Sequence, residues 1–243
     1  MVDLPDAILL RSADPPDGYL AAFDEVGLRA VCEPVLSFAF PRQDAFTDRL
    51  TRRADYEGVV ATSPRVAAAL GRAFEEQEAL AQAWRGAPVY AVGPKTAGRI
   101  RDVGLDPKGA DAGSADALAA RIIDDAPTAP LLFLCGNRRR DTIPRRLRDA
   151  DIPFEEMVVY ETHPRTDLTL PSSDGSAWLV FFSPSGIDAV EASGTEALDT
   201  YRLAAIGPTT GGALEDAGHG VEAVADTPSP DGLVSAIYEE TEG

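Results

Sequence analysis

Four short stretches place hydroxyls and free backbone amides where an anionic ligand group could be held: Thr62-Ser63-Pro64-Arg65, Gly93-Pro94-Lys95-Thr96, Ser183-Pro184-Ser185-Gly186 and Gly207-Pro208-Thr209-Thr210. Each follows an apolar run, at residues 59–61, 89–92, 178–182 and 201–206. This is the grammar of a strand entering a helix. Ser or Gly caps, Pro occupies the first helical position where no N–H is needed, and small polar residues follow. Such a turn offers amides, hydroxyls and the positive end of a helix dipole. Ser183, Ser185, Thr209 and Thr210 are expected to cap and to bind, although capping alone is worth about 1 kcal/mol at such a position. Thr62, Ser63 and Arg65 form the matching turn of the first half. Lys95 stands where the second half has Thr209, which places a cation at that turn.

Little else in the chain signals catalysis. The two histidines are His163 and His219, and neither belongs to a metal-binding or nucleophile motif. The glycines at 207–212 lack the order of a dinucleotide fingerprint. Cys32 and Cys135 sit in apolar runs without a CxxC partner and are expected to be buried free thiols. Gly136 and Asn137 follow the apolar run 131–135, at the strand end where open α/β sheets place ligands. Tyr160 is the one conspicuous polar aromatic, close to a predicted crossing between domains.

The elements that must position these residues show an internal repeat. Residues 91–104 (AVGPKTAGRIRDVG) and 205–218 (AIGPTTGGALEDAG) align at an offset of 114, with the Gly-Pro, a Thr, a Gly, an Asp and the closing Gly in common. A weaker pair, 8–38 and 132–162, reads in both copies as strand, loop, helix, a turn near Gly27 or Asp151, and strand. Alternating strands and helices with Ser/Gly-rich turns indicate parallel sheets in two related α/β domains. The run 30–40, broken by Glu33-Pro34, and the run 157–162 are the predicted crossings, which splits one domain in sequence: 1–36 with 165–243, and 37–164. One helical pattern runs from 65 to about 83. The polar stretch 167–176 reads as a mobile connection.

The net charge of −18 argues against nucleic acid or an anionic membrane as partner, yet a single cleft can be locally basic. Arg138, Arg139 and Arg140, followed by Arg145, Arg146 and Arg148, form such a cluster, to be read either as a solvated face or as carboxylate contacts. Lys95 and Lys108 are the only lysines among 22 basic residues. A surface adapted to high salt and a merely acidic protein fit this composition equally. No apolar run spans a membrane, and the start of the chain lacks the pattern of a signal peptide, so a cytoplasmic protein is expected.

Residues 131–164 (with LLFLCGN, the basic segment, Pro144 and VVYETHP), FFSPSG, AIGPTT and the terminal PDGL resemble the uroporphyrinogen-III synthase family, in order and over nearly the whole chain. The resemblance implies two flavodoxin-like α/β domains with parallel sheets flanked by helices, joined by a two-stranded antiparallel linker, with the active site in the cleft between them. It implies cyclisation of linear hydroxymethylbilane to uroporphyrinogen III, with inversion of ring D and loss of water, through azafulvene and spiro intermediates. No metal or organic cofactor is implied. Carried onto this chain, Tyr160 assists loss of hydroxide, and Thr62, Ser63, Arg65, Lys95, Gly136, Asn137, Ser183, Ser185, Thr209 and Thr210 contact substrate. The departures are Ala61 where Phe is commoner and Glu161 within the tyrosine motif. Hydroxymethylbilane handed over by hydroxymethylbilane synthase is the expected partner, and a monomer is expected because neither repeat leaves an apolar face unpaired. The rival readings are a non-catalytic binder of an anionic small molecule, a regulator that kept the fold and lost turnover, and a nucleotide- or flavin-dependent oxidoreductase.

Overall fold

The computed structural model describes residues 4–171, 173–194 and 196–242. The chain starts with β1 (Ala7–Leu10), α1 (Gly18–Glu25) and β2 (Ala30–Cys32). All four residues of β1 are apolar and buried, as a central parallel strand requires. Asp17 begins α1 by accepting hydrogen bonds from the N–H groups of Tyr19 and Leu20, a cap hidden in a stretch that composition assigns to a loop. Glu33-Pro34 then divides the apolar run, so that β2 and β3 (Leu36–Ala39) lie in different sheets.

The chain continues through α2 (Gln43–Leu50), β4 (Gly58–Ala61), α3 (Pro64–Glu76), α4 (Glu78–Trp84), β5 (Val89–Ala91), α5 (Gly93–Asp102), β6 (Pro107–Lys108), α6 (Ala115–Asp125), β7 (Leu131–Gly136), α7 (Thr142–Asp149) and β8 (Phe154–Pro164). The helical pattern from 65 to 83 is two helices rather than one. Gln77 is extended (φ −139°, ψ 90°). The break turns Leu80 and Trp84 into the core, where the Trp84 Nε1–H donates to the carbonyl of Leu50 at 2.9 Å. The last elements are β9 (Trp178–Phe181), α8 (Pro184–Ala192), β10 (Arg202–Ala205), α9 (Pro208–Asp216), β11 (Ala223–Val224) and α10 (Pro230–Glu242). Within the polar connection that follows β8, Leu168 and Leu170 are buried with Leu179 and Tyr201. Among the described residues, no helix is long and apolar enough to cross a membrane.

Contacts divide the chain into two compact units, one ending at Ser37 and resuming at His163, the other running Phe38–Thr162. The first holds a sheet in the order β11-β10-β9-β1-β2, and the second a sheet in the order β3-β8-β7-β4-β5-β6. Every pair from β1 to β2 and β9, β9 to β10, β10 to β11, β4 to β5 and β7, β5 to β6, and β7 to β8 is parallel. Helices cover the sheets, and each unit has apolar clusters on both faces.

Matching the sequence repeats strand by strand sets β7, β8, β4, β5 and β6 on β1, β2, β9, β10 and β11. The two sheets then have the same spatial order, entered by the chain at different strands. In the first unit the order is that of the flavodoxin-like doubly wound fold, 2-1-3-4-5. In the second the same arrangement is read as 3-2-1-4-5, with β3 added beside β8. Backbone geometry agrees with the weaker repeat: Gly27 and Asp151, 124 positions apart, both take a positive φ (78° and 54°) at the end of their helix. Asp is among the few residues with a side chain that tolerate this conformation.

Candidate active site

In an open parallel sheet, connections leave to opposite faces at one place, and the crevice outside the strand ends there receives ligands. For the second unit this place lies between β4 and β7. A cavity of about 240 Å³ opens there, lined by Thr62 and Ser63 after β4, Gly136 and Arg138–140 after β7, Thr142 and Ile143 of α7, Tyr160 of β8, and the apolar Val92, Ala115 and Phe133. Ser63 caps α3, its Oγ accepting the N–H of Arg65 at 3.3 Å, and Pro64 follows as the first helical residue. Sequence grammar and geometry therefore coincide at this turn.

Tyr160 is half-buried, with its ring against Gly136. The Arg65 guanidinium lies over the ring of Phe38 at 3.5 Å. Burial lowers its pKa from the ordinary value, and the electrostatic influence of Tyr160 opposes that shift. The guanidinium is thus shielded from water on one side by an aromatic face.

The three consecutive arginines have different duties. Arg139 forms a paired fork with Glu156, at 2.6 and 2.7 Å, and donates to Asp141 at 3.0 Å. Its hydrogen bonds to Glu156 raise its affinity for the proton further. Arg138 and Arg140 are exposed and, among the described residues, have no carboxylate partner. They are the cavity's available cations. Beneath them Cys135 is buried, its Sγ 3.7 Å from a Glu156 oxygen, and burial first, then the Glu156 charge, pushes the thiol up to about 12.

The corresponding place in the first unit lies between β1 and β9 and is filled from within. Arg11, at the end of β1, donates twice to Asp17 (2.8 and 2.9 Å) and lies over the rings of Tyr19 and Phe182, at 5.0 and 5.2 Å. The same fold therefore leaves an open cavity in one unit and packs a guanidinium with two aromatic rings in the other.

Residues 17–235 match the family described as HEM4, uroporphyrinogen-III synthase HemD. The chain is 32% identical over 248 residues to the uroporphyrinogen-III synthase of Schizosaccharomyces pombe, covering 95% of each protein. The chain belongs to the uroporphyrinogen-III synthase family. That of Saccharomyces cerevisiae is 35% identical over 207 residues, 74% of each chain. Among solved structures, the uroporphyrinogen-III synthetase of Helicobacter pylori superposes with a TM-score of 0.62 at 17% identity, covering 97% of this chain and 99% of the other. A mutant uroporphyrinogen-III synthase of Thermus thermophilus gives 0.51 at 16%, covering 97% and 98%. At these identities the structural likeness establishes the fold.

Within this member of the uroporphyrinogen-III synthase family, Thr62, Ser63, Gly136 and Tyr160 meet at one cavity, whereas Arg65, in the first turn of α3, does not line it. Asn137 does not line it. Its side chain is engaged with the backbone of Thr162, accepting from N–H at 2.9 Å and donating to the carbonyl at 3.4 Å. Lys95 is exposed on the first turn of α5, also outside the cavity lining. In the other unit, Ser183 and Ser185 are half-buried at the start of α8 and their hydroxyls bond each other at 2.8 Å. Ser183 makes no side-chain cap, contrary to the capping expectation. At the start of α9, Thr209 is exposed, whereas Thr210 is buried with 4% of its surface accessible.

Thr96, the Thr that the two repeats share, is buried to the same 4% as Thr210. Several cavity residues escaped the sequence reading. Thr142 and the apolar wall of Val92, Ala115, Phe133 and Ile143 carry no local signal, because they converge only when four strand ends and two helices assemble.

Proposed function

We propose that this chain is a uroporphyrinogen-III synthase that cyclises hydroxymethylbilane with inversion of ring D, and that Tyr160 assists departure of hydroxide. The observation that carries the reading is the cavity between β4 and β7, where one phenol faces hydroxyls, arginines and an apolar wall. At about 240 Å³ it is smaller than the roughly 300–1,000 Å³ of sites that engulf a small molecule. It suits one substituted pyrrole, the terminal ring bearing the hydroxymethyl carbon. Thr62, Ser63, Arg65, Arg138 and Arg140 would receive carboxylates, and Ser183, Ser185 and Thr209 would offer the first unit's own anion turn. Lys95 and Thr210 stay in the reading as contacts at the edges of these turns.

The chemistry asks little acid–base machinery. The C–O bond of the hydroxymethyl group breaks, and the oxygen leaves with the electron pair while the Tyr160 hydroxyl donates a hydrogen bond to it. The pyrrole nitrogen supplies the electrons, giving the azafulvene. Ring D attacks through its substituted carbon, the spiro intermediate fragments and recloses, and the proton released as the pyrrole regains aromaticity balances the hydroxide as water. The enzyme's main contribution is to hold a flexible chain in the conformation that closes this way. Under this reading the protein acts as a cytoplasmic monomer that receives its substrate from hydroxymethylbilane synthase.

The test supplies fresh hydroxymethylbilane, oxidises the product and separates uroporphyrin isomers I and III. Predominant isomer III is expected. Isomer I at the uncatalysed rate, with folded protein that binds the bilane, would leave a binding protein instead.

A further inference from the structure

Strands β7 and β8 run in parallel register from Leu131 opposite Phe154 to Cys135 opposite Val158, and then slip: Gly136 pairs with Tyr160. Val159 is the extra residue on β8. Bulges are rare between parallel strands, and a one-residue slip turns the following side chain to the other face. The core records that turn. Phe154 and Val158 pack in the cluster on one face, Met157 and Val159 in the cluster on the other, and Tyr160 joins Met157 and Val159 instead of continuing the alternation.

Opposite the slip stands a residue without a side chain. A Cβ on Gly136 would meet Cζ of the Tyr160 ring, and would lie 2.6 Å from Cε2 and 2.8 Å from the hydroxyl oxygen. Real Cβ atoms do not approach ring atoms so closely, and the atoms in the way belong to the ring itself, held by its core contacts. Beyond it, the Asn137 N–H donates to the Tyr160 carbonyl at 3.2 Å, and the Asn137 amide holds Thr162 from both sides.

We propose that Gly136, the bulge at Val159 and the Asn137 amide form a bracket that aims the phenol of Tyr160 into the cavity, making Gly136 and Asn137 positioning residues rather than substrate contacts. The assignment rests on the reading of Tyr160 given above, and its geometry can be tested apart from it. An added methyl at Gly136 must push the ring aside, and a displacement of about 1 Å at a reacting group can cost about 10²-fold in rate.

The experiment is a double-mutant cycle of Gly136→Ala with Tyr160→Ala, read in melting temperature, kcat and KM for hydroxymethylbilane. Gly136→Ala alone should lower kcat about 10- to 100-fold with little change in KM, and lower the melting temperature. In the Tyr160→Ala background it should cost nothing further in either readout, because the clashing ring is gone. Equal losses in both backgrounds, or a Gly136→Ala enzyme with full kcat and unchanged melting, overturns the bracket. If Gly136→Ala fails to fold but the double variant folds, the bracket stands, and if both fail it falls. Asn137→Ala, at an exposed side chain, should lower kcat several-fold at constant KM, again only while Tyr160 is present. Tyr160→Phe keeps the ring and removes the hydroxyl. Full turnover in that variant, with thermal coupling between 136 and 160 intact, would retire the catalytic reading and leave the bracket as architecture.

Discussion

The phenol of Tyr160 is the one aromatic hydroxyl in a cavity otherwise lined by aliphatic hydroxyls, arginines and apolar side chains. Replacing it by Phe should lower kcat by about 10²- to 10⁴-fold, the usual worth of positioned acid assistance, with KM nearly unchanged because the ring and its packing remain. Initial rates with isomer analysis check this. Cys135 illustrates the opposite case, a reactive residue type made inert. Its thiol is pushed up to about 12 by burial and by the Glu156 carboxylate, so the thiolate is negligible at physiological pH. Aromatic disulfide reagents should label Cys32, half-buried on β2, ahead of Cys135, and Cys135 only on unfolding. Labelling of Cys135 in the folded protein at the rate of a free thiol would contradict the burial argument.

At the scale of elements, the start of α1 couples stability to pH. Burial alone would raise Asp17, but hydrogen bonds from the Asp14 N–H, Arg11 and the Leu20 N–H, together with the Arg11 charge, hold it below its ordinary value of 3.8. A carboxyl depressed in the folded state stabilises above its unfolded value, and that contribution is lost as pH falls through the folded value. Between about pH 5 and about pH 3 the wild-type melting temperature should therefore fall more steeply than that of Asp17→Asn, which has no charge to lose. Parallel slopes in thermal melts would show that the Arg11–Asp17 pair contributes nothing to α1. Element identities were largely legible beforehand. Val59, Val60 and Ala61, or Leu131 through Cys135, are continuous apolar runs ended by Thr-Ser or Gly, and such runs become central strands wherever two covered faces are available. The break at Gln77 was not legible, since 65–83 keeps one helical period and only the packing of Trp84 against Leu50 demands a turn.

At the scale of the molecule, 40 acidic against 22 basic residues leave a net charge of −18, and mutual repulsion among surface carboxylates opposes the compact state. Screening shortens the range of this repulsion to about 3 Å at about 1 M salt, so the melting temperature should rise between about 0.1 M and about 1 M sodium chloride. A fall would mean that attractive pairs such as Arg139–Glu156 and Arg202–Glu222 outweigh the repulsion. Arg138 and Arg140, unpaired among the described residues, put positive charge on the cavity rim, so an acidic chain still presents a basic opening to an anionic ligand.

The amino-acid sequence by itself determined the α/β class, the duplicated architecture, the family, and the turns that carry hydroxyls and amides. These are local matters, decided by apolar runs, caps and Gly-Pro punctuation that any chain with this pattern must obey. Only the tertiary structure decided that one unit keeps its strand-end crevice open while Arg11, Tyr19 and Phe182 fill the other. Only it showed Asn137 turned to Thr162, and Tyr160 switched to the opposite face by a one-residue slip against Gly136. The physical reason is common to all three. Which way a side chain faces depends on the register between strands far apart in sequence, and period-two alternation along one strand carries no record of a slip against its neighbour.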